Sequence, residues 1–136
     1  MNLLARREHS RAELHSKLRH KGFDVAIIEN VVADLVRDNL VDDERFTEGY
    51  VRYRLNRGFG PLRVQIELRE RGIDDALIDK YVDASGEHWL DRITTVQSKK
   101  FGNMPNDFQE RARQARFLQY RGFTSEQIRL VLKSED

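Results

Sequence analysis

The sequence predicts an all-α fold: three tandem three-helix repeats, the last incomplete, stacked into an elongated, curved helical array. Three observations predict it. First, a phrase of one basic residue, a glycine and a large apolar residue occurs three times, as Lys21-Gly22-Phe23, Arg71-Gly72-Ile73 and Arg121-Gly122-Phe123, with successive glycines fifty residues apart. The register extends beyond the phrase: Leu18, Leu68 and Leu118 precede the glycines by four, Ile28, Ile78 and Ile128 follow by six, and Val32, Val82 and Leu132 by ten. Self-similarity at a fixed period marks a repeat architecture. Second, apolar residues recur at helical spacing, and alternation at period two is nowhere sustained. Third, 35% of the residues are charged, against roughly a quarter in ordinary domains, which suits stacked units with much surface for their core.

Each phrase reads as a joint between two helices. A glycine just past an apolar-periodic segment ends a helix, because it enters the left-handed region without a Cβ penalty. The basic residue before it suits the negative end of the helix dipole. Asp24, Asp74 or Thr124 then caps the next helix. The apolar residue of the phrase and the following Ile28, Ile78 or Ile128 form a hydrophobic staple that sets the turn angle.

The first helix starts at or before Ser10, where Ser10-x-x-Glu13 is a capping-box pattern; it turns Leu14 and Leu18 inward and stops at Gly22. The second starts from Asp24. Its residues Ile27, Ile28, Val31, Val32 and Leu35 make a face too wide for a surface helix, so it is expected to be the most buried of its repeat. Asn39 and Leu40 turn the chain. Asp42 caps a third helix, stapled by Val41 and Phe46, which carries Phe46, Tyr50 and Tyr53 toward the core and ends at Gly58.

Pro61 fits the first position of the fourth helix, where Val64 and Leu68 repeat the first stripe. After Gly72, Asp74 opens a helix with Leu77, Ile78, Tyr81 and Val82 inward. A helix from about Glu87 to Phe101 has Trp89, Ile93 and Val96 on one face and stops at Gly102. Gly102 to Asn106 is a linker. Asp107-x-x-Glu110 has capping-box form, a helix over 107–121 ends at Gly122, and Thr124-x-x-Gln127 opens the last helix. The result is about eight helices, in repeats at 1–58, 59–106 and 107–136 within one continuous domain.

Composition excludes several functions. No cysteine is present, so disulfides, thiolate zinc sites and cysteine nucleophiles are excluded, which fits a reducing cytosol. No stretch approaches the ~20 apolar residues of a membrane span, and the opening apolar run is too short for a signal peptide. There is no P-loop and no dinucleotide fingerprint. His9, His15, His20 and His88 lack metal-ligand spacing and read as solvated polar residues. Asp42, Asp43 and Glu44 have metal-ligand chemistry, but a helix N-terminus accounts for all three. Ser10 and Ser85 have no matching His/Asp arrangement. No catalytic residue, cofactor or metal is expected.

Net charge is only +1, but charge is banded: residues 1–23 and 49–73 each carry six Lys/Arg against two Glu, whereas 24–48 and 74–91 are acidic. Lys21, Arg69, Arg71 and Arg121 suit helix ends. Arg6, Arg7, Arg52, Arg54, Arg63, Arg111, Arg113 and Arg116 are not all explained that way. Arginine rows beside Tyr50, Tyr53 and Tyr120 suit phosphates or an acidic protein surface. The plainer reading is a solvated charged face, with the tyrosines in the core and their hydroxyls wet.

Ordered motifs in all three repeats resemble a known family. Leu4-Ala5-Arg6-Arg7-Glu8-His9-Ser10 with Glu13-Leu14 and Lys17-Leu18 resembles the opening of the RecX proteins, bacterial modulators of the RecA recombinase. Asp42-Asp43-x-Arg45-Phe46, Arg57-Gly58-x-Gly60-Pro61 and Glu67-Leu68-x-x-x-Gly72-Ile73 are similar to that family's central motifs, and Arg116-Phe117-Leu118-x-x-Arg121-Gly122-Phe123 to its C-terminal one. Some members carry a leader ahead of the first repeat; here it is almost absent.

The resemblance implies a cytoplasmic, non-enzymatic protein that binds the RecA filament on single-stranded DNA along its helical groove. It lowers ATP hydrolysis, strand exchange and co-protease activity, and so regulates recombination and the SOS response. A monomeric helical rod with banded charge fits. Arg52, Arg54, Arg57, Arg63, Arg116, Tyr120 and Arg121 are the expected contributors to the partner or DNA surface. Two other classes compete: a helix-turn-helix-like module that binds DNA directly, and a generic helical adaptor.

Overall fold

The computed structural model describes residues 8–133. Leu4, Ala5, Arg6 and Arg7 lie outside the described residues, and Glu8 to Ser10 are not helical. The described residues form eight helices and no strand: α1 (Arg11–His20), α2 (Val25–Arg37), α3 (Asp43–Asn56), α4 (Pro61–Glu70), α5 (Asp75–Tyr81), α6 (His88–Phe101), α7 (Phe108–Tyr120) and α8 (Ser125–Val131).

Local chemistry fixes most helix starts. Ser10 with Glu13, and Thr124 with Gln127, form complete capping boxes. Asp42 Oδ1 accepts from the N–H groups of Glu44 and Arg45, and Asp74 Oδ1 from Leu77 N–H. Two starts differ from expectation. Asp24 stands at the N-cap of α2 with extended backbone but makes no side-chain cap bond. Asp107 accepts from Glu110 N–H at 2.8 Å, yet the Glu110 carboxylate is held by Arg113 and Gln114, so only half of the box forms.

One backbone pattern closes α1, α2, α3, α4 and α7. At α4, Ile73 N–H donates to Leu68 O at 3.1 Å and Gly72 N–H to Arg69 O at 3.0 Å, the two bonds of a Schellman motif. The same pair recurs at Gly22, Asn39, Gly58 and Gly122. Asn39, at φ 63°, supplies a fifth left-handed position that no glycine marks.

The chain forms two compact units. One comprises the residues up to Tyr50 together with Glu67–Tyr81; the other comprises Val51–Ile66 together with the residues from Val82 onward. In the first, Leu14, Ile28, Val32 and Val41 form a buried cluster, with Leu18, Leu35 and Val36 against it. Ser10 Oγ donates to Arg71 O at 2.7 Å, and Arg71 Nε lies 3.5 Å from Glu13 Oε2. Here α1 approaches the α4–α5 joint so closely that a Cβ on Gly72 would stand 2.3 Å from that of Ala12.

The second unit repeats this joint. Gly60 N–H donates to Arg121 O at 2.7 Å, and a Cβ on Gly122 would stand 2.3 Å from that of Arg63. Ser10–Arg71 and Gly60–Arg121 are both 61 residues apart, so the fifty-residue repeat is also a repeat of contacts. Around the second joint, Trp89 and Phe123 meet edge-on with ring centroids 6.4 Å apart, both buried. Gln97 and Gln114, also buried, bond to each other at 3.0 Å and both donate to Asn103 O, which ties the linker down.

The first joint differs. Ile73 and Phe123 are 4% and 1% exposed, but Phe23 is 51% exposed, and no described residue lies within 4 Å of a Cβ on Gly22. Phe23 is thus only half covered, unlike its two counterparts. Nor is α2 as buried as its apolar width suggests: Ile28 and Val32 face the core, while Ile27 and Val31 are exposed. No described helix start packs on the Gly22 joint as α1 and α4 pack on the other two. His9 is also corrected, being 2% exposed rather than solvated, because the chain ahead of α1 is drawn in with Ser10.

Candidate partner-binding face

The end of α3, the Phe59 turn, the start of α4 and the end of α7 converge in the second unit. Phe59 organises them. The guanidinium carbons of Arg54, Arg121 and Arg63 lie 3.8, 4.7 and 5.2 Å from its ring centroid. Arg63 also lies over the Tyr120 ring and donates to Tyr120 O at 3.0 Å. Arg121 lies over the Phe117 ring and donates to Arg57 O at 2.8 Å, and Arg57 lies over the Tyr53 ring. Stacking on aromatic faces gathers these guanidinium groups around one ring.

Beside this cluster runs an open cleft of about 650 Å³, lined by α3, α6 and α7. Its wall carries Arg57, Arg92, Lys99, Lys100 and Arg121 against one carboxylate, Asp91. Five cations to one acid is the chemistry of a surface for an anionic partner. Lys100 Nζ lies 5.1 Å from the Phe117 ring centroid, which continues the cation–aromatic pattern onto α6.

Of the residues expected at the partner surface, Arg54, Arg57, Arg63, Tyr120 and Arg121 are brought together here. Arg52 is exposed on α3 and Arg116 on α7. Tyr53 and Tyr120 are 51% and 68% exposed, so they are not the core residues expected of them; Tyr50 is half-buried and donates to Glu67 at 2.8 Å. Arg111 and Arg113 are structural: Arg111 bonds Leu132 O at the end of α8, and Arg113 pairs with Glu110. That pairing holds Glu110 below and Arg113 above their ordinary pKa values. Arg92, Lys99 and Lys100 were not anticipated. The signal was the helical spacing of His88, Arg92 and Lys99, which sets them on one face of α6.

Among the described residues, no group of His, Asp and Glu could hold a metal ion. No described helix is long and apolar enough to cross a membrane.

Family models of the three RecX three-helix domains match in tandem: the first over residues 1–35, the second over 42–81 and the third over 87–132. The chain belongs to the RecX family. The second RecX match holds α3 to α5 and the third holds α6 to α8. Over its whole length the chain is 42% identical to the regulatory protein RecX of Halorhodospira halophila, spanning 85% of that protein. It is 43% identical to the regulatory protein RecX of Pseudomonas entomophila, again over the whole chain and 88% of that protein. A crystal structure of RecX from Lactobacillus salivarius matches with TM-score 0.78 at 20% identity, over 96% of this chain and 87% of that one. The RecX resemblance and the all-helical fold stand, and as a RecX-family regulatory protein the chain is non-enzymatic.

Proposed function

We propose that the chain is a cytoplasmic negative modulator of RecA. It binds the RecA–single-strand DNA filament along its helical groove and lowers ATP hydrolysis, strand exchange and co-protease activity, which restrains recombination and the SOS response. Arg54, Arg57, Arg63, Tyr120 and Arg121 are the contact residues in this reading, with Arg52 and Arg116 beside them and Arg92, Lys99 and Lys100 extending the surface. The observation that carries it is the cleft with five cations against one carboxylate, in a member of the RecX family. An anionic partner, a filament's acidic surface or its DNA, suits such a face.

The test is the DNA-dependent ATPase of RecA titrated with this protein. Inhibition at stoichiometric amounts is expected, lost progressively as Arg57, Lys99 and Arg121 are changed to Glu together. Unchanged ATPase at stoichiometric protein would overturn the proposal. The same cleft favours one second reading, direct binding of DNA phosphates. That reading requires binding to naked single strands that weakens steeply between low and high salt. Filament binding without such an effect would remove it as the main role.

A further inference from the structure

We propose that this chain associates head to tail with a second copy of itself, the start of α7 in one copy docking on the Lys21-Gly22-Phe23 joint of another. The molecule contains this interaction twice already. In each built joint, a helix start from 61 residues earlier donates to the carbonyl of the basic residue, and its first turn fills the space over the glycine. The first joint has the same Schellman backbone, the same residue types and a glycine at φ +95°, but no described residue stands over its glycine as Ala12 and Arg63 do in the others.

The start of α7 is the matching unused element. It follows α1 and α4 as the opening helix of the next repeat, and its first residue, Phe108, is 81% exposed. The joint offers Phe23, Val25 and Ile27, each about half exposed. Charges match as in the built copy. The third residue of α1, Glu13, meets Arg71; the third residue of α7, Glu110, would meet Lys21. Asp107 N–H takes the place of Gly60 N–H and donates to Lys21 O. The contact joins two different patches, so it is heterologous, and each copy keeps a free patch of each kind for a further copy. It is small, so association is weak and concentration-dependent.

Sedimentation velocity from about 5 to about 500 μM, a range suited to an interface of this size, tests the proposal. The wild-type sedimentation coefficient should rise with concentration and pass that of a dimer. Phe23→Glu and Phe108→Glu should each stay monomeric. Their equimolar mixture, which keeps one intact patch of each kind, should form a heterodimer and nothing larger. A wild type that stays monomeric throughout, a dimer that survives either substitution, or a mixture that stays monomeric would overturn it. Both positions are exposed; if a Glu variant melts early, Phe23→Ser and Phe108→Ser repeat the experiment.

Discussion

The Ser10 hydroxyl donates to Arg71 O at 2.7 Å and accepts from Glu13 N–H at 3.0 Å. One side-chain atom therefore caps α1 and fastens it to the end of α4. Ser10→Ala removes both bonds and should cost about 2–3 kcal/mol, the cap and the bond to the part-buried carbonyl together. Thr124→Ala loses only a capping box and should cost about 1 kcal/mol. Urea denaturation with an unchanged m-value measures both. Equal losses would mean that the Arg71 bond contributes nothing.

The glycines of the repeated phrase should separate in the same assay. Gly72→Ala and Gly122→Ala each place a Cβ 2.3 Å from another, at φ +81° and +101°. Gly22→Ala meets no described residue within 4 Å and carries only the left-handed penalty of about 1–2 kcal/mol. The first two should exceed the third by at least about 2 kcal/mol, since their helix ends must move apart.

Phe123→Ala should cost about 3–5 kcal/mol, because its ring is buried against Trp89. Phe23→Ala, at the same position of the repeat but half exposed, should change stability by about 0.5 kcal/mol or less in the isolated monomer. Similar losses would mean that the first joint is closed in solution.

Glu44 gives a pH dependence. Hydrogen bonds from Lys80 and then Tyr81 hold its carboxyl below the ordinary glutamate value. A depressed folded pKa contributes stability above the unfolded value and loses it as pH falls through the folded one. Lys80 is raised by the same pair, so its share is present at neutral pH and lost only on strong alkalinisation. The stability difference between wild type and Glu44→Gln should therefore hold at neutral pH and shrink below about pH 4–5. A difference constant through that window would exclude the linkage. Lys80 is exposed and Glu44 and Tyr81 are only half-buried, so salt should also reduce it.

Phe59→Leu keeps an apolar side chain but removes the ring that gathers Arg54, Arg63 and Arg121. Each cation–π contact at such a site is worth about 0.5–1 kcal/mol. Losing all three should lower Tm by several degrees, and at a temperature where the variant is still folded, inhibition of the RecA ATPase should need several-fold more protein. Unaltered inhibition would place the partner surface elsewhere.

The fold was legible because helix boundaries are local. Ser10-x-x-Glu13, Thr124-x-x-Gln127 and the left-handed glycines act within four residues of themselves, and all behave as their patterns require. The site was less legible because it depends on contacts distant in sequence. Arg54, Arg63 and Arg121 could be suspected one by one, but nothing local says that they share the Phe59 ring. Tyr53, Ile27 and Val31 have core periodicity and are exposed, because periodicity reports a helix face and not whether another helix covers it. Asn39 shows the converse, a left-handed helix end without the glycine that usually signals it.

The 61-residue separation also bears on synthesis. Ser10 leaves the ribosome well before its acceptor at Arg71 exists, and Gly60 waits equally long for Arg121. At about 5–20 residues per second, each helix start spends roughly 3–12 s without its anchor. The nascent chain thus gathers itself in two delayed clasps, and a translational pause just before either acceptor would prolong the exposure of a helix whose docking site has not yet been made.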